Sequence, residues 1–251
     1  MKKALVKFAK NVMSIAFWII LWHLASHFIN NPLILVSPLA AFMRLGELAG
    51  EGVFWLSVWF SLGRVVFGFL LSMVIGTALA GLCYKIPLFY TLFLPLINVL
   101  KSVPVVSFTV LALFWVSRDN LSVFIAFVTV LPIVFFNAYE GLKNIDPKLL
   151  EMARVLRAPP IKTAINIHLP HTLPHVFAAA ASGLGFAFKA GVTAELIGFV
   201  RGSIGLNLHM ARNFLMMEDA MAWTITIVLL GYIIEKLFSL LLRRVGSWQS
   251  K

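Results

Sequence analysis

Apolar residues gather into long runs over 13–29, 58–83, 88–116, 121–139, 170–200 and 222–242, separated by short polar breaks. Each run reaches the ~17 residues that a helix rising 1.5 Å per residue needs to cross the hydrocarbon of a bilayer. Lipid offers no partner to a backbone N–H or C=O, so runs of this length predict helices rather than open strands. The pattern therefore predicts an all-α, polytopic membrane protein with about six transmembrane helices. Two runs carry small residues every fourth position: Gly68, Ser72, Gly76 and Ala80 in the second, Ala179, Gly183, Ala187 and Gly191 in the fifth. Such stripes let another helix approach closely, from the same chain or from a second copy. The third run is longer than a straight crossing needs and holds Pro95 and Pro104, which predicts a kinked or partly unwound span.

Ionisable residues inside these runs are few. Asn98, Lys101 and Ser102 lie between the two prolines, and Lys101 either faces a polar pathway or snorkels to the headgroups. Lys189 and Glu195 share the fifth run. Six residues apart, they point in different directions on a helix, so each is expected to meet a partner elsewhere. The breaks are expected to be an amphipathic stretch over 32–58 lying outside the membrane or in its outer interface, an outer turn at Arg118-Asp119-Asn120, and a polar outer segment from Arg201 to Asp219.

Between the fourth and fifth runs lies the longest polar-studded segment. Asp146 can cap a helix and Pro147 fits a first turn. Leu149, Leu150, Ala153, Val155 and Leu156 then alternate with Lys148, Glu151, Arg154 and Arg157, and Pro159-Pro160 stops the pattern. A second amphipathic piece, Ile161 to Ile167, is expected before Pro170 opens the next span.

Composition agrees with this reading. The 251 residues are 61% hydrophobic and 12% charged, with a mean hydropathy of +0.94, too apolar for a soluble globule. The net charge of +11 follows from where the cations lie. With the N-terminus, the 84–87 turn, the 146–169 loop and the C-terminus inside, only Arg44, Arg118, Arg201 and Arg212 fall outside. Arg64, Lys101 and Lys189 fall within spans, and the other 14 of the 21 Lys and Arg fall inside. That asymmetry favours six spans with both ends cytoplasmic and calls for no nucleic-acid partner. Lys2, Lys3, Lys7 and Lys10 precede the first run as in a signal peptide. No small-residue cleavage pattern follows Leu24, so an uncleaved first span is expected.

The chemistry of cofactors and catalysis is thinly represented. Cys83 alone makes neither a disulfide nor a thiolate metal site. The pair His23 and His27 supplies only two ring nitrogens, and prolines interrupt His168, His171 and His175, so no metal is expected. The chain has no G-x-x-x-x-G-K-[ST], so nucleotide chemistry would belong to a partner. No catalytic residue and no cofactor are expected.

The 146–170 segment resembles the EAA loop of the inner-membrane permease subunits of binding-protein-dependent ABC importers. That pattern is E-A-A, three residues, G, nine residues, I-x-L-P. Glu151, Ala153, Ile167, Leu169 and Pro170 fall in register, while Met152 and Arg157 depart from it. With Arg in place of Gly, either a turn at 157 or the proline pair makes the corner. Ser61-Leu-Gly-Arg-Val-Val-Phe-Gly-Phe69 resembles the opening of the transmembrane domain in the nitrate, sulfonate and taurine branch. Phe188-Lys-Ala-Gly-Val-Thr-Ala-Glu195 is similar to a K-A-G-V-x-A-E stretch of that branch, which lies near the two-fold interface and the translocation path. The likeness covers roughly residues 55–240.

The resemblance implies a type I ABC importer transmembrane domain at 55–245 with a cytoplasmic coupling loop at 146–169. Residues 1–54 precede it as a tail, first span and outer amphipathic segment, and 246–251 follow as a cytoplasmic tail. It implies coupling residues Glu151, Ala153, Arg154, Arg157, Ala158, Ile161, Ile167, Leu169 and Pro170. Path candidates are Asn98, Lys101, Ser102, Lys189 and Glu195. The implied partners are ATP-binding cassette ATPase subunits, an extracytoplasmic solute-binding protein and a second copy of the chain in the inner membrane. The substrate is expected to be a small anion such as a sulfonate or nitrate, or a vitamin precursor. A secondary transporter would be expected to show internal repeats and a carboxylate cluster at membrane depth, neither of which the sequence offers. A membrane scaffold without transport activity is the remaining alternative.

Overall fold

The computed structural model describes the backbone of residues 2–246 and the side-chain surroundings of residue 10 and residues 12–240. Lys251 and the rest of the expected tail past Gly246 lie outside the described residues, as do the side chains of Lys2, Lys3, Lys7, Arg243 and Arg244. The described chain is helical: α1 (Lys2–Ile29), α2 (Pro38–Ala49), α3 (Gly52–Lys85), α4 (Pro87–Ser102), α5 (Val105–Ala112), α6 (Arg118–Lys143), α7 (Pro147–Val155), α8 (Pro160–Thr163), a π-helical turn (Ala164–His168), α9 (Leu169–Gly198), α10 (Ile204–Asn213) and α11 (Met217–Gly246). Among the described residues five helices are long and apolar enough to cross a membrane, and six if the bent pair α4–α5 counts as one span.

Helix α6 is the hub, packed between α3 and α9. The small-residue stripes explain how. A side chain at Gly68 would strike the Val123 carbonyl and the Ala126 methyl of α6, and one at Gly76 would meet Val134. Between them Ser72 donates its hydroxyl to the Phe127 carbonyl at 2.5 Å. The partner of the first stripe is thus α6 of the same chain. The second stripe faces α6 and α3 together, Gly183 against Val130 and Gly191 against Val65. With lipid on the outside, close van der Waals contact of this kind replaces water exclusion as the force holding helices together. Phe69, Val65, Val130, Val134, Leu184 and Phe188 fill the seam.

Several boundaries differ from the expectation. The second span begins at Gly52, because the helix extends N-terminally of Val58 far enough to stack Phe54 on Trp223 at 4.9 Å. Arg118-Asp119-Asn120 is the first turn of α6 rather than a separate loop; the Asn120 N–H bonds back to the Ser117 carbonyl, and Asp119 suits a helix start. The Arg201–Asp219 segment contains the ten-residue α10, and the last span starts at Met217. Ile161–Ile167 is not a free-standing helix. It runs into the fifth span, because the π turn shifts the register and the Leu169 N–H reaches the Ala164 carbonyl five residues back. That register shift absorbs Pro170, which has no N–H to give.

Helix α2 packs on α11. Ser37 caps α2 by accepting from the Ala40 N–H at 3.3 Å. Arg44 bridges Asp219 of α11 and Glu47 of its own helix. The Asp219 hydrogen bond, then that to Glu47, holds the Arg44 guanidinium above its ordinary pKa.

Candidate functional site

Three places gather the polar side chains singled out in the sequence. The first is the 146–170 loop. Asp146 accepts from the Lys148 N–H at 2.9 Å and Pro147 occupies the first turn, so α7 starts as a capped helix. Its inner face seats Ala153 with Leu142, Ile145 and Ile167, with Tyr84, Leu149, Leu150 and Ala158 packed around them. Two of the family-pattern residues, Ala153 and Ile167, therefore hold the loop to the bundle rather than face outward. Its end is a Schellman turn: the Ala158 N–H bonds the Ala153 carbonyl at 2.9 Å and the Arg157 N–H bonds the Arg154 carbonyl at 3.0 Å. Arg157 takes the left-handed position with φ +48°. Both corner candidates contribute, since the chain turns at Arg157 and Pro159-Pro160 then opens the next helix.

What the loop leaves outside is mixed in character. Glu151, Arg154, Arg157 and Lys162 are exposed, and among them Val155, Leu156 and Ile161 are 82%, 70% and 73% exposed. Leu169 and Pro170 lie exposed at the start of α9, and Ala158 is half-buried. His171 Nδ1 lies 2.8 Å from the Ile167 carbonyl and the His175 ring lies against Gly141, so the histidines here pack locally. Among the described residues no group of three or more His, Cys, Asp or Glu could hold a metal.

The second place is the broken third span. Helices α4 and α5 meet at 107° across Val103 and Pro104. Pro95, by contrast, sits inside an unbroken α4. The break opens a cavity of ~360 Å³ bounded by Leu100, Lys101, Val105, Phe108, Thr129, Pro132 and Phe186, among others. Lys101 is exposed there with its ammonium 5.3 Å from the Phe136 ring centre. Asn98 and Ser102 are exposed on the same helix, and the Ser102 hydroxyl donates to the Val99 carbonyl. Lys189 is exposed on α9 one turn from Phe186.

The third place is at the end of the bundle away from the 146–169 loop, where α3 begins and α9 ends. Glu195 is fully buried. Its carboxylate accepts from the Ser61 hydroxyl of α3 at 2.7 Å and from the Gly205 N–H of α10 at 3.4 Å. Ser61 in turn accepts from the Ile204 N–H at 3.0 Å, and Asn207 donates to Ser57 at 2.9 Å. This network clamps the start of α10 onto α3 and α9. Arg64 lies close by, stacked 3.6 Å over Phe60 and 3.7 Å from Asp119. The structure thus separates Glu195, enclosed by protein, from Asn98, Lys101, Ser102 and Lys189, which are open. Ser57 was not singled out in the sequence, and Ser61 entered only as the start of the Ser61–Phe69 run; the further signal was a serine pair one turn apart at the head of the second span.

Residues 68–247 match the family described as Binding-protein-dependent transport system inner membrane component. SsuC of Bacillus subtilis (strain 168), a permease protein assigned to aliphatic sulfonates transport, is 28% identical over 86% of this chain and 79% of its own. The nitrate import permease protein NrtB of Leptolyngbya laminosa is 26% identical over 82% of this chain and 74% of its own. In fold, the chain resembles a subunit of the MetNI methionine ABC transporter in inward-facing conformations. The TM-score is 0.65 at 19% identity, over 78% of this chain and 99% of that one.

Proposed function

The chain belongs to the binding-protein-dependent transport system inner membrane components, and from that premise we propose that it is the dimeric, force-transmitting permease subunit of an ATP-driven importer of a small anion. Two copies line one path, two ATP-binding subunits grip the two 146–169 loops, and an extracytoplasmic binding protein delivers the solute. Both termini lie in the cytoplasm, with residues 55–245 as the transport unit. The single observation that carries this reading is the loop's division of labour. Ala153 and Ile167 anchor it to α3 and α6 through the cluster with Tyr84 and Leu142, while Val155, Leu156 and Ile161 stand in the open. A large apolar tip beside charges, on a firmly seated base, suits docking to another protein.

The fold supplies the transmission. The loop continues through the π turn into α9 without a flexible joint, and α9 is packed along α6 and α3. A push on the tip therefore moves α6 and α9 as one body, and the bend at Val103-Pro104 is the place where the neighbouring span can adjust. Asn98, Lys101, Ser102 and Lys189 form the path, with Glu195 behind it fixing the outer end. Two lysines at membrane depth favour an anion, in keeping with relatives named for sulfonates and nitrate.

Glu151→Lys tests the coupling. Reconstituted with the ATP-binding subunit and binding protein, the variant should hydrolyse ATP with little solute uptake while the membrane fold persists. Wild-type uptake with normally stimulated hydrolysis would falsify the proposal.

A further inference from the structure

Beside the loop's corner is a notch of ~470 Å³ whose polar lining is Tyr84, Arg154, Arg157, Thr163 and His168. None of its lining residues is acidic. The His168 Nδ1 atom is buried without a hydrogen-bond partner, and the Tyr84 ring meets the His168 ring edge-on at 5.7 Å. Among the described residues neither Arg154 nor Arg157 makes a side-chain hydrogen bond or ion pair, although both are exposed. Arg157 is also the residue held at φ +48°, where a Cβ crowds the following carbonyl and glycine is the residue of least strain. The chain thus keeps an unpaired guanidinium at a backbone position that disfavours it, at the mouth of a cationic notch. Strain of this kind is retained where a side chain has work to do.

We propose that the notch receives a carboxylate side chain of the ATP-binding subunit, paired with Arg157 and Arg154, while Val155, Leu156 and Ile161 fill the apolar part of the same groove. This rests on the docking reading above and adds the chemistry of the partner: its groove carries an acidic residue facing the corner. A guanidinium offers a planar fork to two carboxylate oxygens, which a flexible ammonium does not match. Charge complementarity supports the choice, since the segment from Asp146 to Leu169 holds Lys148, Arg154, Arg157 and Lys162 against Asp146 and Glu151. Asp146 is already committed to capping α7. A free inorganic anion would leave the apolar tip in water.

The test uses Arg157→Gly, which removes the cation and relieves the backbone, so the folded chain should be as heat-stable as wild type or more so. The full chain in phosphatidylcholine nanodiscs is titrated with its purified ATP-binding subunit at several salt concentrations. Wild type should bind, with affinity falling as salt rises. Arg157→Gly should bind at least about tenfold more weakly with a shallower salt dependence, and Arg157→Lys should fall between. If wild type binds and Arg157→Gly binds equally well with the same salt dependence, this inference is wrong and docking stands. If the wild-type chain does not bind the subunit, the docking reading itself is wrong. If the two chains bind the subunit equally in phosphatidylcholine, and only wild type gains affinity when phosphatidylglycerol is included, the notch serves a lipid headgroup and the inference is overturned.

Discussion

Glu195 shows how much one buried carboxylate can organise. Its two donors come from α3, 134 residues away in sequence, and from α10, ten residues on, so a single side chain joins three helices. Ser61→Ala removes one donor and also strands the Ile204 N–H, and should cost about 1–3 kcal/mol, the usual penalty for a buried polar group left unpaired. Glu195→Gln keeps an acceptor for Ser61 and should cost less than Glu195→Ala. Denaturant unfolding of the purified chain, read as a double-mutant cycle between positions 61 and 195, checks both. Equal losses for Gln and Ala would mean that the clamp adds no specific interaction. A pairing across 134 residues leaves no periodic trace, so the sequence showed Ser61 only as the start of a motif run and not as the partner of Glu195. At Arg157 the corner was left open between two readings, because the residue type that normally announces a left-handed turn, glycine, is missing there.

At the scale of the element, what pattern dictates was legible and what depends on neighbours was not. Long apolar runs located the spans, and Pro104 located the break in the third, because both act through the backbone of their own segment. Pro95 did not break its helix, and the Ile161–Ile167 piece fused with the fifth span through a π turn; each outcome depends on how freed backbone groups are satisfied locally. Helix α10 was read as a polar segment because its start is fixed by Ser203, Ser61 and Glu195 rather than by an apolar stripe. Its close approach has one further requirement. A methyl at Gly205 would lie 2.5 Å from Glu195 Cβ and from the Leu196 backbone nitrogen. Gly205→Ala should therefore push α10 off α9, and a fall in thermal stability with faster amide exchange over 204–213 would register it. Unchanged exchange there would show that the contact yields without cost.

For the whole molecule, the α3–α6–α9 body carries the 146–169 loop at one end and the clamped α10 at the other, beside a span that bends. Lys101 stands on α4 beside this body and Lys189 on α9 within it, the two lysines proposed to line the path. Lys101→Glu reverses one of them without touching the packed seams, and should cut uptake of an anionic solute by roughly tenfold or more while ATP-binding-subunit association is unchanged. Equal uptake by Lys101→Glu and wild type would remove Lys101 from the path.

The claim on which all this depends is that the tip of the 146–169 loop faces the cytoplasm and rests in the ATP-binding subunit. Leu156, 70% exposed at that tip, is the position to ask, through Leu156→Cys in a Cys83→Ala background. The account predicts disulfide cross-linking of this cysteine to a cysteine placed in the groove of the ATP-binding subunit, and no labelling by an impermeant thiol reagent added to intact cells. Labelling from outside, with no cross-link under any nucleotide condition, would contradict it.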